Sequence, residues 1–243
     1  MRLQISGTAS QGKSTFLNDF LQEWPEYKTP NKTYRDLLNG KHSKKTDKDI
    51  QWRILNCMVD EIITHGEGDK VIYDRGPIDN IAYTVWCNSK GVGEVDDAFV
   101  EKCLPLLRET NKFLDIIFYI PITGVATVEH DTEKFGESVK EGLTDDEHRE
   151  EIDHIFKALK YDWSNNAKSK FYDPDDKPAI IEVFGQPRER IEICKLYLDV
   201  DGDLIDNVGI MTEEQIREVE EMKGKLGISD DQSQAFRNPN TYE

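Results

Sequence analysis

An octapeptide close to the first residue constrains the fold of this chain more than any other feature. Gly7-Thr8-Ala9-Ser10-Gln11-Gly12-Lys13-Ser14 satisfies G-x-x-x-x-G-K-[ST] at every position. It follows the apolar run Leu3 to Ser6 and leads into Thr15-Phe16-Leu17, the opening of an amphipathic helix. Strand, loop and helix in that order turn successive backbone N–H groups towards a phosphate chain, with the glycines allowing the turn and the helix N-terminus adding partial positive charge. Lys13 then reaches the β- and γ-phosphates as a point charge, and the Ser14 hydroxyl ligates Mg²⁺. Gly7 through Thr15 are therefore the expected nucleotide-binding residues, with ATP and Mg²⁺ as cofactors.

The rest of the chain alternates short apolar strands with segments of helical period, the pattern of a parallel sheet covered by helices. Strands are expected at Leu3 to Ser6, Tyr27 to Thr29, Lys70 to Asp74, Phe113 to Ile120 and Ala179 to Phe184. This predicts a three-layer α/β phosphate-loop fold with a central, mostly parallel five-stranded sheet. Ile50, Ile54, Met58 and Ile62, with Leu55, Val59 and Ile63, form a stripe that only a helix explains, ending at His65-Gly66-Glu67-Gly68. A second helix opens at the capping box Thr144-Asp145-Asp146-Glu147 and carries Ile152, Ile155, Phe156, Leu159 and Trp163 on one face. Pro187 starts a further helix through about Leu198, and Thr212-Glu213-Glu214-Gln215 opens an exposed charged one before a polar tail.

A second chemical element is Val71-Ile72-Tyr73-Asp74-Arg75, an apolar strand ending in a carboxylate. Ligands of an open parallel sheet gather at the carboxyl ends of its strands, which brings Asp74 beside the phosphate loop. There it orients Mg²⁺-bound water, as a metal-side residue with Ser14, or accepts the proton of an attacking hydroxyl. Arg75 offers a planar fork for phosphate oxygens. The acidic, Gly-spaced segment from Thr123 onward reads as a flap, and Arg149, in the first turn of the helix after it, is a candidate clamp on the γ-phosphate. An ion pair of Arg149 with Asp145 or Asp153 is the plainer alternative.

The string Asp74-Arg75-Gly76-Pro77-Ile78-Asp79-Asn80-Ile81-Ala82-Tyr83 resembles the D-R-x-x-x-[SN]-x-x-A-Y stretch of thymidylate kinases. Together with the phosphate loop it is also similar to ribosylnicotinamide kinases and related small phage kinases. The resemblance spans roughly residues 1–198 and departs at Gly76-Pro77, where thymidylate kinases usually carry an aromatic residue. It implies that Asp74 and Arg75 work at the acceptor, that Asn80 and Tyr83 lie near the acceptor nucleotide, and that Phe184-Gly185-Gln186-Pro187 with Arg188 forms the adenine-side loop. It further suggests a thymidine-type deoxynucleotide acceptor. Within that class the first candidate is the hydroxymethyl group of 5-hydroxymethyluracil in phage DNA; a free nucleoside or nucleoside monophosphate is the alternative.

Lysines and arginines total 31 against 48 aspartates and glutamates among 243 residues, a net charge of −17 that excludes a protein coating nucleic acid through general basicity. The local exception is the run containing Lys41, Lys44, Lys45 and Lys48, followed by Arg53, an expected patch for a nucleotide or DNA acceptor. Tyr34, Trp52, Tyr83 and Trp86 offer stacking surfaces for a base, or else core. Scattered Cys57, Cys87, Cys103 and Cys194 give neither a disulfide framework nor a zinc pattern. Asp199-Val200-Asp201-Gly202-Asp203 lacks the spacing of a calcium loop and reads as a turn. No apolar segment marks a signal or a membrane span, so a soluble, cytoplasmic chain is expected, in the host cytoplasm if viral. The expected organisation is a domain over 1–198, with an acceptor-binding insertion at about 30–65 and a lid at about 123–150, then a charged helical extension and tail over 199–243. A hydrolytic switch or a nucleotide-binding module is the competing class, but Asn31-Lys32-Thr33-Tyr34 lacks the Asp of N-K-x-D.

Overall fold

The computed structural model describes residues 1–30, 47–65, 68–123, 145–166, 168–173, 175–205, 217 and 221. Four parallel strands, β1 (Arg2–Ser6), β2 (Val71–Asp74), β3 (Ile116–Tyr119) and β4 (Ala179–Glu182), form one sheet in the order β2-β1-β3-β4. Its helices are α1 (Lys13–Glu23), α2 (Lys48–Thr64), α3 (Pro77–Ser89), α4 (Asp97–Asn111), α5 (Asp145–Asn165) and α6 (Pro187–Cys194). The chain leaves β1 towards β2 on one side and returns to β3 on the other, so strand order reverses at the carboxyl end of β1. That reversal is where open α/β sheets open a crevice for ligands.

The expected fifth strand at Tyr27 to Thr29 is reduced to a single parallel bridge between Lys28 and Val71. Lys28 exchanges backbone bonds with Lys70 and Ile72, but Pro30 follows two residues later and offers no N–H to extend the ladder. The third and fourth strands are shorter than their apolar runs. Phe113 to Asp115 precede the ladder, with the Asp115 carboxylate accepting the Arg2 N–H at 2.7 Å. α6 ends at Cys194, four residues before the expected Leu198.

Period-2 alternation divides the sheet into two faces. Leu3, Ile5, Ile72, Ile116 and Phe118 point to the α1 and α6 side, where Phe118 meets Phe16 and Phe20 at ring distances of 5.8 and 5.9 Å. Val71, Tyr73, Ile117 and Tyr119 point to the opposite side, against Leu55 and Ile62 of α2, Ile81 of α3, Leu107 of α4 and Ile152 and Phe156 of α5. α2 follows the predicted stripe and begins at an Asp47 N-cap whose carboxylate accepts the Ile50 N–H at 2.8 Å. α5 likewise buries Ile152, Phe156 and Leu159.

β1 departs from this apolar pattern, since its buried Gln4 and Ser6 point to the α3 side. At the far edge, Asp199 Oδ1 accepts the Asp201 and Asp203 N–H groups, and Tyr27 Oη donates to Gly202 O at 2.7 Å. The acidic turn is thus a local side-chain-to-backbone turn, with Gly202 buried against Trp24 and Tyr27. Among the described residues no helix is long and apolar enough to cross a membrane.

Candidate functional site

Geometry at the carboxyl end of β1 explains each constrained position of the loop. Gly7 has φ 137°, and a Cβ there would stand 2.5 Å from the Ile120 carbonyl, so the loop can lie against the exit of β3 only without a side chain. Gly12, at φ 72°, is the N-cap of α1, and its carbonyl accepts the Phe16 N–H at 2.9 Å. Lys13 is buried and its Nζ donates to the Thr8 carbonyl, while Ser14 and Thr15 are exposed on the first turn of α1. The Thr8 hydroxyl is buried without a hydrogen-bond partner among the described residues. Backbone turned by two left-handed glycines, a lysine within the loop and an exposed serine hydroxyl at a helix N-terminus fit a Mg²⁺-bound triphosphate.

Parallel register sets Ile5 of β1 beside Asp74, the last residue of β2. The acidic candidate therefore ends its strand two residues short of Gly7, at the same edge of the sheet. Arg75 follows at φ 80°, a left-handed conformation that costs a non-glycine residue about 1–3 kcal/mol. Its backbone N–H donates to Ile5 O at 3.0 Å, and its Nη1 donates to Asp79 Oδ1 at 3.2 Å. The guanidinium carbon lies 5.5 Å from the centroid of the Tyr83 ring.

Asp79 is the buried carboxyl beside the loop that the motif reading passed over. It stands at the Ser/Asn position of the D-R stretch, on the first turn of α3, and is 1% exposed. Oδ1 accepts from Gly7 N at 3.3 Å as well as from Arg75; Oδ2 accepts from Ser6 Oγ at 2.8 Å, Gln4 Nε2 at 3.3 Å and Gly76 N at 3.3 Å. The polar face of β1 is therefore complementary to one carboxylate. Burial raises the Asp79 carboxyl above the ordinary range, against the opposing pull of Arg75, Lys13, Ser6 and the Gly76 N–H. A Cβ on Gly76 would stand 1.9 Å from the Gln4 amide oxygen, so a side chain there would have to displace Gln4. Gly76-Pro77, the departure from the thymidylate kinase pattern, is thus the N-cap and first residue of α3, fitted over Gln4.

Arg149 reaches the phosphate loop from α5. Its Nε donates to Ala9 O at 3.1 Å and its Nη1 to Asp146 Oδ1 at 2.9 Å. With the Gln11 amide turned so that its oxygen faces Arg149 Nη2 at 2.5 Å, its nitrogen faces Pro121 O at 3.3 Å. Asp153, one turn further along α5, accepts from Tyr119 Oη at 2.6 Å and from Ile122 N at 3.1 Å. Glu151 accepts from Trp86 Nε1 at 2.8 Å and from Lys90 at 2.6 Å. These bonds fix the helix that carries Arg149 to β3 and α3. Burial, reinforced by Asp153, pushes the Tyr119 phenol well up.

Other candidates separate. Asn80 turns away from the loop into a buried network, its Nδ2 donating to Gln51 Oε1 at 2.8 Å, because one residue along a helix rotates a side chain by about 100°. Tyr83 is half-buried between Arg75 and His148, and Trp86 meets the His148 ring edge-on at 4.4 Å. Trp52 is occupied by Lys102, whose ammonium sits 3.9 Å from the ring centroid. Lys48 pairs with Glu94 at 3.8 Å and Arg53 is exposed on α2. Lys41, Lys44, Lys45, Tyr34, the flap over 124–144 and the helix expected after Thr212 lie outside the described residues, save Arg217 and Glu221. Arg188 is exposed, whereas Arg190, two positions on, is buried against the phosphate loop.

No family model and no curated protein matches the chain. Solved structures do. A deoxyadenosine kinase from M. mycoides with dCMP and dCDP bound is 15% identical, covering 79% of this chain and 96% of that one, with a TM-score of 0.52. A NadR protein in complex with NAD and AMP-PNP is also 15% identical and covers 85% of this chain, with a TM-score of 0.53. The chain spans about half the length of that NadR protein, 51% of it. At this identity the likeness is one of fold: a three-layer α/β phosphate-loop architecture with a parallel sheet, four strands of which are described.

Proposed function

We propose that the chain is an ATP-dependent phosphotransferase of the nucleoside or nucleotide kinase class. The observation that carries this reading is one juxtaposition. The phosphate loop and the Asp74-Arg75 pair leave adjacent parallel strands at the same edge, and the Asp79 carboxylate hydrogen-bonds both halves. The NadR structure holds AMP-PNP and the deoxyadenosine kinase structure holds deoxycytidine nucleotides, which supports this class for a chain of the same fold.

In this reading the N–H groups of the loop and Lys13 hold the β- and γ-phosphates, and Arg149 meets the γ-phosphate from α5. Ser14 and Asp74 are the residues that would hold Mg²⁺, which when bound neutralises phosphate charge. An acceptor hydroxyl held by Arg75 gives its proton to Asp74 and attacks the γ-phosphorus in line; its O–P bond forms as the bond to the β,γ-bridging oxygen breaks, releasing ADP. Positioning and electrostatics supply most of the rate. The acceptor is a thymidine-type deoxynucleotide, with 5-hydroxymethyluracil in DNA the first candidate. The D-R…A-Y stretch and the nearness of Tyr83 to Arg75 support this choice.

Incubation with γ-labelled ATP and a parallel set of acceptors tests it: plain DNA, 5-hydroxymethyluracil-containing DNA, thymidine, thymidylate and deoxyadenosine. Label moving to an acceptor is expected. Release of inorganic phosphate alone would replace the kinase with a hydrolytic switch, and label on deoxyadenosine but no thymine-type acceptor would replace the acceptor.

A further inference from the structure

The motif accounts for one cation in the loop, Lys13, yet a second lies directly behind it. Arg190 of α6 is 5% exposed, and its Nη1 donates to Gln11 O at 2.8 Å while its Nε donates to Gly185 O at 2.9 Å. One planar fork therefore joins the phosphate loop to the turn that leaves β4, where Gly185 adopts φ 85°. A Cβ on Gly12 would come within 3.1 Å of Nη1, so the guanidinium packs against the N-cap of α1 as well.

Its hydrogen bonds go to carbonyls, and no carboxylate is within ion-pair distance of Arg190 among the described residues. Asp19 acts on it only at longer range, and burial lowers its proton affinity. A guanidinium so deeply buried without an ion pair is costly unless something offsets its charge. The offset nearest at hand is a polyphosphate on the other side of the Gln11–Gly12 backbone. Holding the Gln11 carbonyl outward also fixes the peptide whose N–H belongs to Gly12.

We propose that Arg190 is a further positioning residue of the nucleotide site, tying the turn after β4 to the phosphate loop and adding positive potential behind it. This rests on the nucleotide-binding reading above. Two functions are combined in one side chain, and they separate by substitution: Arg190→Lys keeps a charge but loses the two-pronged tie, whereas Arg190→Gln loses both.

Calorimetric titration of the full chain with magnesium ATP and, separately, with magnesium tripolyphosphate reads the two functions. For Arg190→Lys, ATP affinity is expected to fall about tenfold, with tripolyphosphate affinity held within about twofold, because the proposal gives the turn after β4 to the nucleoside end of ATP, which tripolyphosphate lacks. For Arg190→Gln, both affinities are expected to fall about tenfold or more. Wild-type affinities in Arg190→Gln, or equal losses of both ligands in Arg190→Lys, would overturn the proposal. A packing role alone lowers the melting temperature without changing the ratio of the two affinities. If Arg190→Gln does not fold, the ratio in Arg190→Lys decides by itself. A folded wild-type chain that binds neither ligand takes down the nucleotide reading and this proposal together, whereas wild-type binding with an unmoved ratio takes down this proposal alone.

Discussion

On the α1 and α6 side of the sheet, Phe118 packs against Phe16 and Phe20, and the buried layer is aliphatic and aromatic. On the other side, Gln4, Ser6 and Asp79 lie beneath the phosphate loop, Tyr119 is bonded to Asp153, and Lys160 pairs with Glu182 at 2.8 Å with both side chains 8% exposed. The first face needs volume and shape, except at its loop end, where the buried Arg190 of α6 donates to Gln11 O. The second is held at these points by matched donors and acceptors, where a buried polar group that lost its partner would cost about 1–3 kcal/mol. The contrast separates scaffold from machinery: polar groups are buried where α3 and α5 must be held at fixed positions around the loop.

The largest effect expected on the apolar face is from Phe118→Ala, which should lower unfolding free energy by about 3–5 kcal/mol in urea titrations. Magnesium ATP affinity of the folded protein should stay within about twofold of wild type; a large affinity loss would break the division between the faces. Lys13→Ala should do the reverse, cutting phosphoryl transfer by about 10²–10³-fold or more while the melting temperature holds. Wild-type rates in that variant would remove the lysine from the site.

Tyr119→Phe is the next step down. It removes one donor from Asp153, which retains the Ile122 N–H and Lys157, so a loss of about 1–2 kcal/mol is expected in denaturant unfolding. A neutral result would mean that the helix carrying Arg149 is held by apolar packing instead.

These residues also mark how far the sequence can be read. Strand, loop and helix around Lys13 were legible because their spacing is fixed by the phosphate chain, and α2 and α5 because one side of each is apolar at helical period. α3 was hidden by its burial: Ile78, Ile81, Ala82, Thr84, Trp86 and Cys87 are all buried, leaving no polar stripe to set a period. α4 contains Pro105, which reads as a breaker although the helix continues to Asn111. Asp79 looked like an ordinary acidic residue in a helix's first turn, and only the docking of α3 on β1 brings it to Gly7. Arg188 and Arg190 are equivalent in sequence; the packing of α6 on α1 buries one and leaves the other in solvent.

A pH series sharpens the same comparison. Burial lowers the Lys160 ammonium below its ordinary 10.5, with Glu182 pulling it back up. Between the lowered folded value and 10.5 the unfolded chain binds a proton that the folded chain lacks, so this lysine makes stability rise with pH in that window. Wild type should therefore gain stability relative to Lys160→Met as pH climbs towards 10, as followed by chemical denaturation; a gap that shrinks would reverse the assignment. The smallest effect belongs to the exposed pair Lys170–Glu101, at 69% and 57% exposure. Lys170→Ala should leave the melting temperature unchanged in thermal melts, and a clear drop would mean that surface pairing matters here.

The central claim is that Gly7 to Ser14 grip a nucleotide's phosphates. Calorimetric titration of wild type and Lys13→Ala with magnesium ATP, on samples with matching circular dichroism, tests it most directly. Saturable single-site binding in the wild type, weakened about tenfold or more by Lys13→Ala, is the predicted result. A folded wild-type chain that takes up no nucleotide at millimolar concentration, or a Lys13→Ala variant that binds it equally well, would contradict the account.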